Sequence, residues 1–284
     1  MAVLPFTPGI NISILVDGTP ATEHIPLPED FPPLIDATGH EDIEHNRCHI
    51  QSHTGKHFAI RLRISSIFKF PWGKNTVIIS IYVDGKPFDN VIIPKRYILS
   101  AAYCDEEYVA VISSCHRELS DGSSECYKPV FRDIRHPVCQ ADDDSGISDP
   151  ESIMSLGSIQ VAIEVARESG PGVMGKDEFS DDKRNQTLSI DNDALQDYGS
   201  GQIHATTYTR TAETLDLGYV AVDREKNIGN FFFYYQSPPA PRAALNLQPR
   251  FEDRWANAMI HQRSMPSKPH RLSDVSEETL AGKR

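Results

Sequence analysis

Four histidines, His45, His49, His53 and His57, with Cys48 among them, form the densest group of metal-ligating side chains in the sequence. On a helix, ligands four residues apart stack on one face, as in zinc sites. The local sequence argues for strand, turn, strand instead, because Gly55 interrupts the run and apolar residues alternate after it. In a strand, His49, Gln51 and His53 share one face while Cys48 and Ile50 share the other. The spacing of four then has no consequence. The histidines are expected to be surface groups around a turn, with metal binding as the alternative.

Cys115-His116 and Cys126 are the second group. The runs 108–114 and 126–131 flank Asp121-Gly122-Ser123-Ser124 and read as a hairpin. Paired strands would bring the two sulfurs close, yet no Cys-x-x-Cys and no second ligand pair accompanies them. Small buried hydrophobes is the expected role, and a Cys–His nucleophile the alternative. The Asp142-Asp143-Asp144 run lacks the spaced oxygen ligands of a calcium loop and reads as a solvated acidic loop. Ser148, followed by Asp149-Pro150-Glu151, sits in a context that suits acidophilic phosphorylation. The chain contains no Gly-x-Gly-x-x-Gly after a strand, no Walker loop, no Gly-x-Ser-x-Gly and no His-Glu-x-x-His. No catalytic, cofactor-binding or metal residue is therefore assigned.

Charge and composition limit the partners. The net charge is −12, and residues 142–197 hold fourteen Asp/Glu against four Lys/Arg, a local −10. Such a field repels phosphate backbones, so nucleic acid is not an expected partner. The five cysteines are odd in number and irregularly spaced, residues 1–14 carry no basic leader, and no apolar run reaches a membrane span. An intracellular protein with reduced thiols, cytoplasmic or nuclear, is the expectation.

The elements that position these residues are mostly strands. Ile10, Ile12, Ile14 and Val16 alternate ahead of Asp17-Gly18; Phe58, Ile60, Leu62 and Ile64 alternate with Ala59, Arg61 and Arg63. Residues 76–83 are β-branched and end at Asp84-Gly85, and Val91-Ile92-Ile93 supplies the returning arm. Further strands are read at 159–165, 203–208 and 231–235. The total is about nine or ten, enough for an antiparallel two-sheet β-sandwich. A single domain is expected over 8–250, with a proline-rich extended stretch at 25–36 and acidic loops at 141–152 and 168–200. Helix is expected at 241–247 and in a C-terminal segment at 251–265, and disorder at 266–284. Three of the five rings at 231–235 cannot all face inward, so Phe232 and Tyr234 are expected to meet the helical segment through Trp255.

Five phrases occur together in order: Ile14-Leu15-Val16-Asp17-Gly18; the Cys48–Phe58 stretch containing Ser52-His53-Thr54-Gly55-Lys56-His57-Phe58; Ile81-Tyr82-Val83-Asp84-Gly85-Lys86; Leu156-Gly157-Ser158-Ile159-Gln160-Val161; and Asn230-Phe231-Phe232-Phe233-Tyr234-Tyr235. Over residues 8–250 this set resembles a fungal family catalogued as domain of unknown function 7918 (DUF7918). That family tends to show Ser-x-x-Gly-Lys-x-Phe, a strand ending in Asp-Gly-Lys, and a late Phe-x-Phe-x-Tyr-Arg strand. Here the late strand reads Tyr235-Gln236. The resemblance implies one β-rich domain and no activity. The functional expectation is a non-enzymatic module that binds protein partners through its acidic loops or a sheet edge. Two alternatives stand beside it: a metal- or thiol-dependent enzyme around His49, His53, Cys115 and Cys126, and an acidic-loop chaperone of basic proteins.

Overall fold

Period-two burial builds the sheets. Phe58, Ile60, Leu62 and Ile64 are buried, while the residues between them are half-exposed. The computed structural model describes residues 2–4, 7–25, 34, 36–38, 43–118, 124–133, 155–171, 204–212 and 220–236. In chain order the strands are β1 (Ala2–Val3), β2 (Ile10–Val16), β3 (Thr19–Pro20), β4 (Glu23–His24), β5 (His45–Gln51), β6 (Phe58–Ile64), β7 (Thr76–Val83) and β8 (Lys86–Pro94). After helix α1 (Lys95–Tyr103) come β9 (Tyr108–Ile112), β10 (Cys115–Glu118), β11 (Ser124–Asp133), β12 (Ser158–Pro171), β13 (His204–Thr211) and β14 (Val220–Gln236).

The first sheet has the order β1-β2-β6-β9, with β3 also on β2; the second runs β4-β5-β14-β12-β7-β8. Their inner faces meet in one core, from Ile10, Ile12, Ile14, Ile60 and Leu62 on one side to Val77, Ile79, Val161, Ile163, Phe231 and Phe233 on the other. This is the expected mainly β sandwich. A third sheet, β10-β11-β13, closes one end, where Phe131 stacks on Phe58 with ring centroids 4.6 Å apart.

Several expectations need correction. Fourteen strands, not nine or ten, lie among the described residues; β1, β3 and β4 have two residues each, too short to leave a periodic signal. One pair is parallel, β14 with β5. These strands are remote in sequence, so no hairpin forces them antiparallel. The strand that pairs with β11 is β10, while the 108–112 strand expected there pairs with β6. Helix α1 follows Pro94 and buries only Ile98, so its residues read as a continuation of the apolar run before it. β12 reaches Pro171, into the segment expected to be loop from 168, because Glu168, Gly170 and Pro171 pair with Val222, Ala221 and Val220. The acidic stretches 141–152 and 172–200, and the calls on 241–247, 251–265 and 266–284, lie outside the described residues.

All five rings at 231–235 are buried. A central strand covered on both faces reads as a continuous apolar run, so Phe232 and Tyr234 are covered on the outer face. On that face Asp36 accepts hydrogen bonds from Gln160 Nε2 and Asn230 Nδ2, each 2.6 Å. Trp255, expected there, lies outside the described residues.

Two turns are built from one octapeptide. Residues 13–20 (SILVDGTP) and 80–87 (SIYVDGKP) are identical at six of eight positions, and their registers correspond: Leu15 with Pro20, Tyr82 with Pro87. Asp17 and Gly18 have φ of 47° and 80°, Asp84 and Gly85 of 51° and 73°. Successive positive φ values define the hairpin turn that Asp-Gly favours. The surroundings differ. A Cβ on Gly18 meets nothing within 4 Å, whereas one on Gly85 falls 2.5 Å from Ser155 Oγ. Gly18→Ala should therefore cost only the backbone term, about 1 kcal/mol. Gly85→Ala should cost about 2–4 kcal/mol, because it also displaces Ser155. Urea unfolding of the two variants checks this ordering.

Candidate functional site

The structure separates the residues that chemistry would need together. Cys48 faces the core, and burial pushes its thiol up to about 12, so it is not a thiolate. His49 lies on the opposite face of β5 against Tyr234, with ring centroids 5.5 Å apart. His53 and His57 are exposed in the turn that follows, and His45 is exposed at the start of the strand. In the β10–β11 register Cys115 opposes Tyr127 and His116 opposes Cys126. That one-residue offset sends the two thiols to opposite faces. Cys115 enters the core, while Cys126 Sγ lies 3.3 Å from His116 Nδ1. No group of three or more His, Cys, Asp or Glu able to hold a metal ion occurs among the described residues.

What the fold does assemble is a buried polar hub at the end closed by the third sheet. Asp84 Oδ1 accepts from Tyr235 OH at 2.6 Å and from Gly157 N at 2.8 Å; Oδ2 accepts from Thr206 N at 2.8 Å. Since the Tyr235 proton goes to Asp84, Thr206 Oγ1 donates to the Tyr235 oxygen, 2.9 Å away. Ser155 Oγ donates to the Asp84 carbonyl at 3.1 Å. Desolvation pushes the Asp84 carboxyl up to about 6, with the Tyr235, Thr206 and Gly157 hydrogen bonds pulling the other way. Burial likewise raises Tyr235 well above the usual phenol range. On the same strand as Thr206, His204 shares hydrogen bonds with Ser52 Oγ (Nδ1, 2.6 Å) and Thr54 Oγ1 (Nε2, 3.3 Å).

A serine on a histidine and a carboxylate on a tyrosine are the groups of acid–base catalysis. Here they are sealed from solvent: Ser52 is 0 % exposed, His204 1 % and Tyr235 2 %. Both His204 nitrogens and both Asp84 oxygens are already engaged. The hub joins the β7–β8 turn to β12, β13 and β14, strands from remote parts of the chain. Its chemistry is cohesion.

The model of Domain of unknown function (DUF7918) matches residues 9–245. The chain belongs to that family. No curated protein and no solved structure matches it. The phrases by which the family was legible in the sequence converge on the hub and its rim. Ser52 holds His204, Gly55 N donates to Phe131 O at 2.8 Å, Lys56 pairs with Asp17 at 2.6 Å, and Phe58 stacks on Phe131. Asp84 of the third phrase and Tyr235 of the last bond to each other. The family's marks in this chain are thus architectural. Sequence reading took Asp84-Gly85 as a turn and as part of the family resemblance, with no role for the buried carboxylate; the repeated octapeptide was the available signal that this turn has a counterpart worth comparing.

The accessible features lie elsewhere. Eight large hydrophobic side chains are well exposed among the described residues, and seven of them fall within residues 67–111. Some sit on β9, others on α1 and the loop before β7. Among the described residues no helix is long and apolar enough to cross a membrane.

Proposed function

We propose that the domain is a non-catalytic, intracellular protein-interaction module that docks an extended segment of its partner along β9. One observation carries this reading: β9 ends its sheet among the described residues, and it is an uncharged apolar strand, Tyr108-Val109-Ala110-Val111-Ile112, with Val109 and Val111 each 52 % exposed. Proteins normally guard such an edge with charge, proline or a bulge, and an unguarded one is a template for strand addition. Among the described residues Cys48 and Cys104 are free thiols, which suits the intracellular setting.

Replacing both valines by asparagine leaves the charge unchanged and removes apolar contact worth about 2 kcal/mol. The affinity for a partner captured by the full chain should fall roughly thirtyfold, with the melting temperature nearly unchanged because both side chains face solvent. Titration of the purified partner against the two forms measures this. Equal affinity for the double variant would remove β9 as the site, and turnover of a substrate by the pure protein would overturn the non-catalytic reading.

A further inference from the structure

We infer that the end of the sandwich opposite the hub docks onto anionic membrane surfaces through the loop 65–75 and the start of α1. Trp72 is 100 % exposed and Ile67 63 % exposed on this loop. The loop and α1 together contain Lys69, Lys74, Lys95 and Arg96 and not one Asp or Glu, in a chain of net charge −12. This local inversion of charge is the complementarity an anionic surface requires. A carboxylate borders the patch at the foot of the loop, where Glu107 pairs with Arg63. Arg96 is held by Glu168 at 3.0 Å and Lys69 Nζ donates to Ser66 O at 2.9 Å, so the exposed head of Lys69 and the ammonium of Lys95 are the groups offered to an anionic surface.

The loop presents its tryptophan in a preset geometry. Phe68 is buried and anchors it, with Phe68 N donating to Ser65 O at 3.1 Å. The Phe70 ring packs on Phe68 and lies beneath Lys95 Nζ at 5.3 Å. Lys74 N donates to Pro71 O at 3.1 Å and Gly73 has φ of 77°, the signature of a type II turn with Trp72 at its first central position. Trp72 is fully exposed at the tip of this turn, with Lys69 three residues before it. It suits a penetrable interface, where the ring sits at headgroup depth and the ammonium groups meet lipid phosphates. The contact is peripheral and is independent of β9.

The test is co-sedimentation of the full chain with vesicles of phosphatidylcholine alone and with phosphatidylserine at about 30 mol %. Binding should appear with the anionic lipid, fall about tenfold in Trp72→Ala and in Lys69→Gln/Lys95→Gln, and weaken at high salt. The chain has two tryptophans, so in a Trp255→Phe background the Trp72 emission should shift to the blue on vesicle addition. Val109→Asn/Val111→Asn should leave vesicle binding intact, which separates this inference from the β9 reading. Equal sedimentation with both vesicle types, or an unshifted Trp72 emission, would overturn it. So would tight binding of polyglutamate without vesicle binding, which would assign the patch to an acidic protein.

Discussion

Asp84→Ala should be among the most destabilising single substitutions in this domain, lowering the unfolding free energy by about 3–5 kcal/mol. The truncation leaves Gly157 N and Thr206 N without their acceptor and strips Tyr235 of the partner for its proton, all in a site closed to water. Asp84→Asn keeps the shape and one carbonyl oxygen but turns an amide toward a donor, so a smaller loss of about 1–3 kcal/mol is expected. The asparagine variant also isolates the titration. The folded-state value of about 6 lies above the ordinary 3.8, so between those values the folded chain binds a proton that the unfolded chain has released. The contribution of this group is fully present below about 3.8 and is lost as pH rises through about 6. Wild-type stability minus that of Asp84→Asn should therefore decline across this window, by roughly 2–3 kcal/mol in all. Denaturant titrations of both proteins from pH 4 to 7 give the difference curve. A flat or rising difference would show that the hydrogen bonds outweigh desolvation and that the carboxyl is not raised.

Phe131→Ala is expected to cost about 3–5 kcal/mol and to loosen the third sheet preferentially. Phe131 is 0 % exposed and touches two aromatic neighbours, Phe58 at 4.6 Å and Tyr235 at 4.9 Å between centroids. Its backbone also carries the exchange with the 52–57 turn, donating to Lys56 O at 3.0 Å and accepting from Gly55 N at 2.8 Å. Removing the ring opens a cavity where the core of the sandwich meets the β10-β11-β13 sheet, whose other contacts with that core include Cys115, Tyr127 and Tyr208. Hydrogen exchange should accelerate in β11 and β13 more than in β7 or β12, whose pairings lie in the doubly covered sheet. Uniform acceleration would mean that the third sheet is not a separately yielding unit.

Much of the fold was legible because it is local. Alternation at 58–64 and 159–165 and the β-branched run at 76–83 fix which side chains turn inward, and each became a strand. Short elements were not legible, since two residues in β1, β3 or β4 carry no period. Helix α1 was hidden for a different reason: it has nine residues, buries only Ile98 and follows directly on the apolar end of β8. The histidine run shows the opposite failure of a one-dimensional pattern, for a spacing suited to a helix means nothing on β5 and the turn after it.

The two octapeptides separate what each level decides. The sequence Val-Asp-Gly by itself determined both turns, because sterics at positive φ are settled within a few residues and Asp-Gly tolerates that region. It did not determine what either carboxylate does. Asp17 stays in water, paired with Lys56, which holds its carboxyl below the usual range. Asp84, with the same neighbours in sequence, is sealed beneath Tyr235, Thr206 and Gly157. Those residues arrive from strands 73 to 151 positions away. Burial and hydrogen-bond partners are properties of the assembled sheets, and no local pattern around Asp84 could encode them.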